Sequence, residues 1–439
     1  MARKKKSVFF RRSGGDGGLF RILAVLVVLS AVGGGGLFVY RNGAGRVLQL
    51  AAPSPEAGEK AVAEARTLLA GGNADAAQEA LRPALRVREP RVAGPAVVCL
   101  AEILTAQGKP EEALSALEKG MNDLAGTSEY PVLVARLAAE HEKAGRGDQA
   151  LALYGQLKEN APPEMQAAAL CGLGRMKEAG GDLVGARDLF RDAAERAPWD
   201  SPAWNEAVGP LGRLNVQLVF SPGETPESKI YAVERGDTLI SIGIKLNTTQ
   251  ALLMRANNLS EGQTLSPGQR LKYTPKDFRI VIERSTCRIF LLDGRGVFKM
   301  YRTGLGMPGH ETTPGKYIIG VKEKDPVWHK QGAAPIPPGD PANELGTRWM
   351  PLVPQEPNLP KDLGIHGTIA PDSIGKYSSH GCARMLNEEV EELWDLVVRS
   401  TPVAIVEKYV PGMPLEPGGA DAPAAPVESA EPPADAPPV

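Results

Sequence analysis

The residues with the clearest chemical potential form two neighbouring segments, 378–385 (SSHGCARM) and 365–368 (IHGT). Cys382 stands between a glycine and a small residue, where a sharp turn can expose the sulfur and leave backbone N–H groups beside it. His366 precedes it by 16 residues (382 − 366 = 16). An imidazole near a thiol can remove its proton, and the thiolate is the form that attacks carbonyl carbons. The pair therefore predicts acyl transfer through a cysteine nucleophile.

The two segments resemble the active-site motif of the L,D-transpeptidases with a YkuD-like catalytic domain, in which a His-Gly pair precedes Ser-His-Gly-Cys-x-Arg. The resemblance covers roughly residues 277–410 and includes 313–317 (TPGKY) and 345–349 (LGTRW). Ala383 departs from the family, where a larger aliphatic residue is commoner. The resemblance implies a mainly-β catalytic domain, a β-sandwich, which works without a cofactor and is acylated by carbapenems. The histidines and cysteines lack zinc-ligand spacing, so no metal is predicted.

The resemblance also implies catalytic roles, with Cys382 as the nucleophile and His366 as the general base and proton donor. The motif contains no obvious acidic third member, so the carbonyl of Gly367 or of its neighbour is the candidate that fixes the imidazole tautomer. The N–H groups of Gly381 and Cys382 are natural donors to an oxyanion.

Four further side chains of the motif region are candidates for substrate binding: Ser379, His380, Arg384 and Tyr317. The Arg384 guanidinium suits a substrate carboxylate, or it pairs with a carboxylate of the fold. His310 lies outside the motif and is expected in a loop at the rim of the cleft.

The reaction that the resemblance implies begins with Cys382 attacking the carbonyl of the third residue of a tetrapeptide stem, which expels D-alanine and leaves a thioester. A diaminopimelate amine as acceptor gives a 3→3 cross-link, and an amine of an envelope protein gives a wall-anchored protein. Two alternatives stay open. Water as acceptor makes an L,D-carboxypeptidase or an amidase that releases wall protein, and a chain without catalysis would be a cell-wall tether.

The composition indicates several domains and an exported chain. A length of 439 residues with 43% apolar residues is enough for more than one core, and a net charge of −2 gives no general attraction to nucleic acid. A basic segment, residues 1–21, precedes an uncharged stretch, 22–40, which is long enough as a helix to cross a bilayer. We expect a single-pass anchor with its basic flank in the cytoplasm, or else a cleaved signal, and the remainder in the periplasm or outside the cell.

A repeat occupies residues 54–208. Glycines at positions 72, 108, 145 and 181 open similar segments at intervals of 36, 37 and 36 residues (108 − 72, 145 − 108, 181 − 145). This period is typical of stacked helix pairs and resembles tetratricopeptide repeats, with each glycine at the turn inside a pair. The all-α solenoid either spaces the enzyme from other parts of the chain or docks another envelope protein.

A Pro/Gly/Ser-rich linker, residues 221–228, leads to residues 229–274, which resemble a LysM module with the order strand, helix, helix, strand. Asp237 and Thr249 are the expected caps of its two helices. The resemblance implies binding to peptidoglycan glycan strands, although the fold could persist without sugar affinity.

Three local features complete the predictions. A helix is expected from Asn387, as its cap, to Ser400. The thiols at positions 99, 171 and 287 are expected to be buried and structural. Residues 411–439 are rich in Pro, Ala and acidic residues and are predicted to be disordered.

Overall fold

The computed structural model describes residues 26–27, 36–41, 44–49, 53–329, 332 and 334–415. The chain divides into two compact units, of which the first ends at Gly108 and the second begins at Lys109. The predicted basic segment 1–21 and residues 416–439 of the predicted tail lie outside the described residues.

The predicted membrane-spanning helix over residues 22–40 is not found in the part of this stretch that the structure describes, and residues 22–25 and 28–35 lie outside the described residues. Where this stretch is described, it contains β1 (Leu26–Val27) and β2 (Gly36–Arg41), and β2 pairs antiparallel with both β1 and β3 (Ala44–Gln49). Valine and aromatic residues favour strands, and glycine, which fills positions 33–36, disfavours helices. Across the described residues, no helix is both long enough and apolar enough to cross a bilayer.

The repeat region is helical, as predicted, and three of its expected helix pairs are packed: α1 with α2, α5 with α6 and α7 with α8. The first unit contains α1 (Pro55–Ala70), α2 (Ala74–Leu81) and α3 (Pro90–Ala106). The second unit continues with α4 (Pro110–Asp123), α5 (Tyr130–Lys143), α6 (Gly147–Asn160), α7 (Pro163–Ala179), α8 (Leu183–Arg196) and α9 (Pro202–Phe220). Gly72, Gly145 and Gly181 lie between the two helices of the packed pairs α1/α2, α5/α6 and α7/α8, with φ of +79°, +71° and +83°. Gly108 follows α3 with φ of +75°. Glycine adopts this left-handed conformation without a Cβ clash, which explains its place in each turn.

The predicted strand-helix-helix-strand order is confirmed in β4 (Lys229–Ala232), α10 (Leu239–Lys245), α11 (Gln250–Ala256) and β5 (Arg270–Tyr273), with β4 and β5 antiparallel. Thr249 caps α11 as predicted, accepting the N–H of Leu252 at 3.0 Å. The prediction that Asp237 caps α10 is wrong. Thr238 is the cap, because the Asp237 carboxylate instead accepts the Tyr231 hydroxyl and other donors near it.

The C-terminal domain is mainly β, as predicted. Its strands are β6 (Arg279–Glu283), β7 (Arg288–Asp293), β8 (Gly296–Arg302), β9 (Leu305–Gly306), β10 (Gly315–Ile319), β11 (Glu323–Lys324), β12 (Arg348–Pro354), β13 (Gly364–His366), β14 (Tyr377–Ser379), β15 (Ala383–Arg384) and β16 (Pro402–Val406). Nine of them form one sheet in the order β15-β13-β12-β10-β16-β6-β7-β8, with β11 beside β12, while β9 and β14 form a separate pair. This differs from a sandwich of two separate large sheets, because β16 pairs with both β10 and β6 and so joins the two halves.

One helix, α12 (Asn387–Leu396), packs on this sheet and ends four residues before its predicted end. Val390 and Leu393 are fully buried in the same cluster as Met350 of β12. The prediction that Asn387 caps the helix is wrong, since Leu386 occupies the cap position. The Asn387 side chain instead faces two loops beside the sheet, as described below.

The predicted linker does not leave the LysM module free. Lys272 of β5 is 3% exposed and donates hydrogen bonds to the carbonyls of Leu218, at 3.0 Å, and Ser221, at the end of α9. Leu252 of α11 lies in the buried cluster that includes residues of the nine-stranded sheet. Packing therefore joins α9, the LysM module and the C-terminal domain within the second unit.

Candidate active site

Two short strands bring the motif residues together. β13 pairs parallel with β15, and the register sets Ile365 beside Ala383 and His366 beside Arg384. Alternate residues of a strand point to opposite faces, so Cys382, directly before β15, shares a face with Arg384 and His366. Ile365 and Ala383 are buried on the other face. The predicted nucleophile and base thus lie on one face of the sheet, on neighbouring strands.

The turn before β15 is held by Ser379. Its hydroxyl donates to the Cys382 carbonyl at 2.7 Å and accepts the N–H of Gly381 at 3.2 Å. Ser379 is 1% exposed, which contradicts its predicted role in substrate binding. The Gly381 N–H, predicted as an oxyanion donor, already has this partner. The Cys382 N–H makes no hydrogen bond within the part of the chain that the structure describes, and it is the better candidate.

The His366 imidazole is buried and oriented by the backbone. It is 4% exposed, and its Nδ1 lies 2.6 Å from the carbonyl oxygen of Gly367. A carbonyl oxygen can only accept, so Nδ1 carries the proton and Nε2 keeps a lone pair. Burial lowers the pKa of His366 to about 4, against the smaller opposing effects of the Gly367 carbonyl and of the Leu345 backbone. The contact expected of Gly367 exists, and the imidazole is neutral at physiological pH.

The Cys382 thiol is half-buried, with Sγ 3.6 Å from the carbonyl oxygen of Asp362. Burial raises the pKa of this thiol to about 11, more than the backbone N–H of Gly364 and the charge of Arg384 lower it. Together with a neutral imidazole, this makes the resting site a neutral thiol and imidazole pair.

Trp349 covers the site from the next strand. It pairs with His366 across β12 and β13, and the ring centroids of the two side chains are 5.8 Å apart. The indole lies so close to Gly364 that a Cβ at that position would overlap it. Gly364 precedes Ile365 in the ladder and so stands opposite Cys382. Its lack of a side chain leaves room for the Trp349 indole.

Two of the predicted substrate-binding side chains have partners inside the fold. Nη2 of Arg384 lies 2.7 Å from Oε2 of Glu344, and the arginine side chain is 12% exposed. This geometry favours the ion pair with the fold over a free site for a substrate carboxylate. Tyr317 is 1% exposed, lies in the core cluster and donates its hydroxyl to the Thr313 carbonyl at 3.1 Å. The prediction that Tyr317 binds substrate is contradicted, because β10 turns it inward.

His380 is exposed at the rim of the site, and its ring centroid is 5.1 Å from that of the exposed His310. The loop that carries His310 packs on the catalytic turn, since the Thr312 hydroxyl donates to the Gly381 carbonyl at 2.7 Å. His310 thus lies at the rim, as expected. His380 remains a candidate for substrate contact.

Sequence comparison relates this site to known proteins. The family description "L,D-transpeptidase catalytic domain" matches residues 277–405, "LysM domain" matches 231–274, and "Tetratricopeptide repeat" matches 62–123 and 136–202. A Bacillus subtilis protein named as the L,D-transpeptidase YkuD is 33% identical over 182 residues, which are 40% of this chain and 97% of that protein. Its namesake in Bacillus licheniformis is 30% identical over 182 residues, covering 40% of this chain and 98% of that protein. The chain belongs to the L,D-transpeptidase family.

The chain also aligns with solved structures. The L,D-transpeptidase from Mycobacterium smegmatis is 18% identical, and the match covers 32% of this chain and 64% of that one with a TM-score of 0.25. The catalytic domain of the Enterococcus faecium L,D-transpeptidase is 21% identical, with 30% of this chain and 97% of that one covered and a TM-score of 0.25.

Three residues near the active site of the transpeptidase have contacts that sequence reasoning missed: Glu344, Trp349 and Asn387. Glu344 precedes the segment 345–349, which resembles the family, and Trp349 is its last residue. Residue spacing carries no information on which side chains these two residues contact. In the described residues, His, Cys, Asp and Glu side chains form no group of three or more that could hold a metal ion.

Proposed function

We propose that this L,D-transpeptidase remodels peptidoglycan through a thioester on Cys382, with His366 as its general base. The observation that carries the proposal is the parallel pairing of β13 and β15, which sets the two side chains on one face. The tautomer adds support, because a proton on Nδ1 leaves Nε2 free to accept a second proton.

The reaction begins when the Cys382 sulfur bonds to the carbonyl carbon of the third residue of a tetrapeptide stem, while its proton passes to Nε2 of His366. The tetrahedral oxyanion faces the free N–H of Cys382. The C–N bond to D-alanine then breaks, and the departing amine takes the proton from the imidazolium. An acceptor amine then attacks the thioester carbonyl carbon and gives a proton to His366. The C–S bond breaks, and the sulfur takes this proton from His366 and leaves as the thiol.

The acceptor decides the product. A diaminopimelate amine yields a 3→3 cross-link, and a lysine of an envelope protein yields an anchored protein. Such chemistry places the enzyme in peptidoglycan biosynthesis and cell-wall organisation, and it makes carbapenems, which are acylating β-lactams, its expected inhibitors.

The other modules support a location in the cell envelope. The LysM domain would hold glycan strands. It packs on the catalytic domain through Leu252 and on the end of α9 through Lys272, so bound wall polymer and Cys382 would belong to one body. The tetratricopeptide repeats would receive an envelope protein on their surface.

The test uses the full-length protein, disaccharide-tetrapeptides and mass spectrometry of the products. The proposal expects 3→3 dimers from the wild type, none from Cys382→Ala, and dimers from the control Cys287→Ala, whose thiol is buried elsewhere. Conversion of tetrapeptides to tripeptides without dimers would identify water as the acceptor. Dimers formed by Cys382→Ala would overturn the assignment of the nucleophile, and wild-type protein that binds wall without changing it would indicate a tether.

A further inference from the structure

The side chain of Asn387 lies where three sequence segments meet. Its Oδ1 accepts the backbone N–H of Thr347 at 3.3 Å and that of Thr368 at 3.2 Å. Thr347 belongs to the segment 345–349, and Thr368 follows His366 and Gly367. Asn387 itself lies two residues beyond the cysteine segment. Two donors require an acceptor, so the amide oxygen, not the nitrogen, faces them.

The Thr368 N–H and the Gly367 carbonyl belong to the same peptide unit, which is planar and holds the two groups in opposite directions. Asn387 binds one end of this unit, and Nδ1 of His366 contacts the other end at 2.6 Å. The orientation of the carbonyl that faces the imidazole is therefore fixed by Asn387. Hydrogen bonds in such a chain also polarise one another, which strengthens the contact to the ring.

Two glycines make room for this arrangement. A Cβ at Gly367 or at Gly346 would overlap Oδ1 of Asn387. Gly346 also adopts φ of +65°, which disfavours a side chain. The backbone can approach the amide only because both positions lack a side chain.

We propose that Asn387 is a positioning residue for His366: through the Gly367–Thr368 peptide, it holds the imidazole in the tautomer that leaves Nε2 free for the Cys382 proton. Asn387 thus has the place that an acidic third member has in other cysteine and histidine sites, but it acts through the backbone. The inference rests on the proposed function, because it assumes that His366 is the base.

The first test is the tautomer in the wild-type, full-length protein. Nitrogen chemical shifts of ¹⁵N-histidine-labelled protein, with the His366 signal assigned by its loss in His366→Gln, report which ring nitrogen carries the proton. We expect the proton on Nδ1 in the wild type. A proton on Nε2 would overturn the proposal without any Asn387 variant.

The second test compares variants of Asn387 by the rate of Cys382 acylation with a carbapenem, followed by mass. Asn387→Asp keeps the acceptor oxygen and should keep the Nδ1 proton and acylation. Asn387→Leu removes the acceptor and should mix the tautomers and slow acylation about 10- to 100-fold, the cost of a slightly misplaced catalytic group. The matched control, Glu388→Ala, changes the next residue of α12, which is exposed, and should leave both readouts unchanged.

The outcomes separate the two proposals. Wild-type protein that no carbapenem acylates at Cys382 contradicts the proposed function. Normal acylation in Asn387→Leu, or equal losses in the Asp and Leu variants, contradicts the positioning role alone. If Asn387→Leu does not fold, two other variants replace it: Gly367→Ala and the double variant Gly367→Ala/Asn387→Ala. A Cβ added at Gly367 would overlap the Asn387 amide, so the double variant should fold better than Gly367→Ala alone. Additive losses of stability from the two substitutions would refute the contact.

Discussion

The neutral resting pair predicts an unreactive thiol before substrate binds. At pH 7, about 3% of a free cysteine with a pKa near 8.5 is thiolate, whereas a pKa of about 11 leaves about 0.01%. The thiolate population of Cys382 is therefore roughly 300-fold lower than that of free cysteine. Each thiolate should react about 10- to 20-fold faster, because a thiolate of higher pKa is the stronger nucleophile. Cys382 should therefore react with iodoacetamide about 15- to 30-fold more slowly than free cysteine.

The pH dependence gives this prediction its sign. Because the thiol loses its proton only at high pH, the alkylation rate should rise about tenfold per pH unit from pH 6 to 9 and show no plateau. A preformed thiolate and imidazolium pair would instead react at a constant rate between the two pKa values. The assay is quenched alkylation of the full-length protein, with Cys382→Ala as the measure of background from the three buried thiols.

Substitution of His366 separates the two models further. His366→Gln should leave the pH profile of alkylation nearly unchanged, because the resting imidazole does not ionise the thiol. The same variant should slow carbapenem acylation about 10²- to 10⁴-fold, the usual contribution of a general base. A plateau of fast alkylation below pH 7 that disappears in His366→Gln would refute a neutral pair.

Three further substitutions test assignments made from burial and hydrogen bonding. Tyr317→Phe should lower the free energy of unfolding by about 1 kcal/mol, the net value of its bond to the Thr313 carbonyl, and leave carbapenem acylation unchanged; slower acylation at equal stability would restore a role in the site. Ser379→Ala leaves the buried Gly381 N–H without its partner and should cost about 1–3 kcal/mol in urea denaturation, with slower acylation, whereas an unchanged urea midpoint would contradict its role in the turn. Lys272→Met uncovers carbonyls at the end of α9 and should cost a similar ~1–3 kcal/mol without affecting acylation by the folded protein; a wild-type midpoint would show that the lysine does not secure the LysM module.

The fold was predictable where local chemistry decides it. Glycines at a fixed period predicted the turns between helices, because these turns need a residue with left-handed backbone conformation. Thr249 predicted the start of a helix, because its hydroxyl accepts a backbone N–H that has no partner within the helix. Sequence could not show that Asp237 has stronger partners than a helix end, since its carboxylate is occupied by Tyr231 and Lys245. The sequence also could not show that residues 221–228, whose composition is typical of a linker, are bound by side chains distant in sequence. One example is Arg187, which pairs with Glu227 at 2.6 Å.

The active site divides in the same way. The resemblance of the two motif segments to the family was enough to select Cys382 and His366, and the structure sets them on or beside the neighbouring strands β15 and β13. The partners of Arg384 and Asn387 were not predictable, because each lies about 20 or more residues away and is reached only through the folded sheet. Ser379 is a further example. A serine hydroxyl can bind substrate or stabilise a turn, and only the burial of Ser379 in the folded structure favours the turn.

The charges around the thiol explain why catalysis has to depend on the bound substrate. The Arg384 charge is matched by Glu344, and the Asp362 carboxylate opposes a thiolate. The charges of Arg384, Glu344 and Asp362 therefore do not stabilise a resting thiolate on Cys382. In the proposed mechanism, the sulfur loses its proton to His366 only as it bonds to the substrate carbonyl carbon, and the resulting imidazolium donates to the Gly367 carbonyl, which Asn387 orients. Because oxidation also proceeds through the thiolate, the same neutral pair protects the thiol in the oxidising envelope location proposed above.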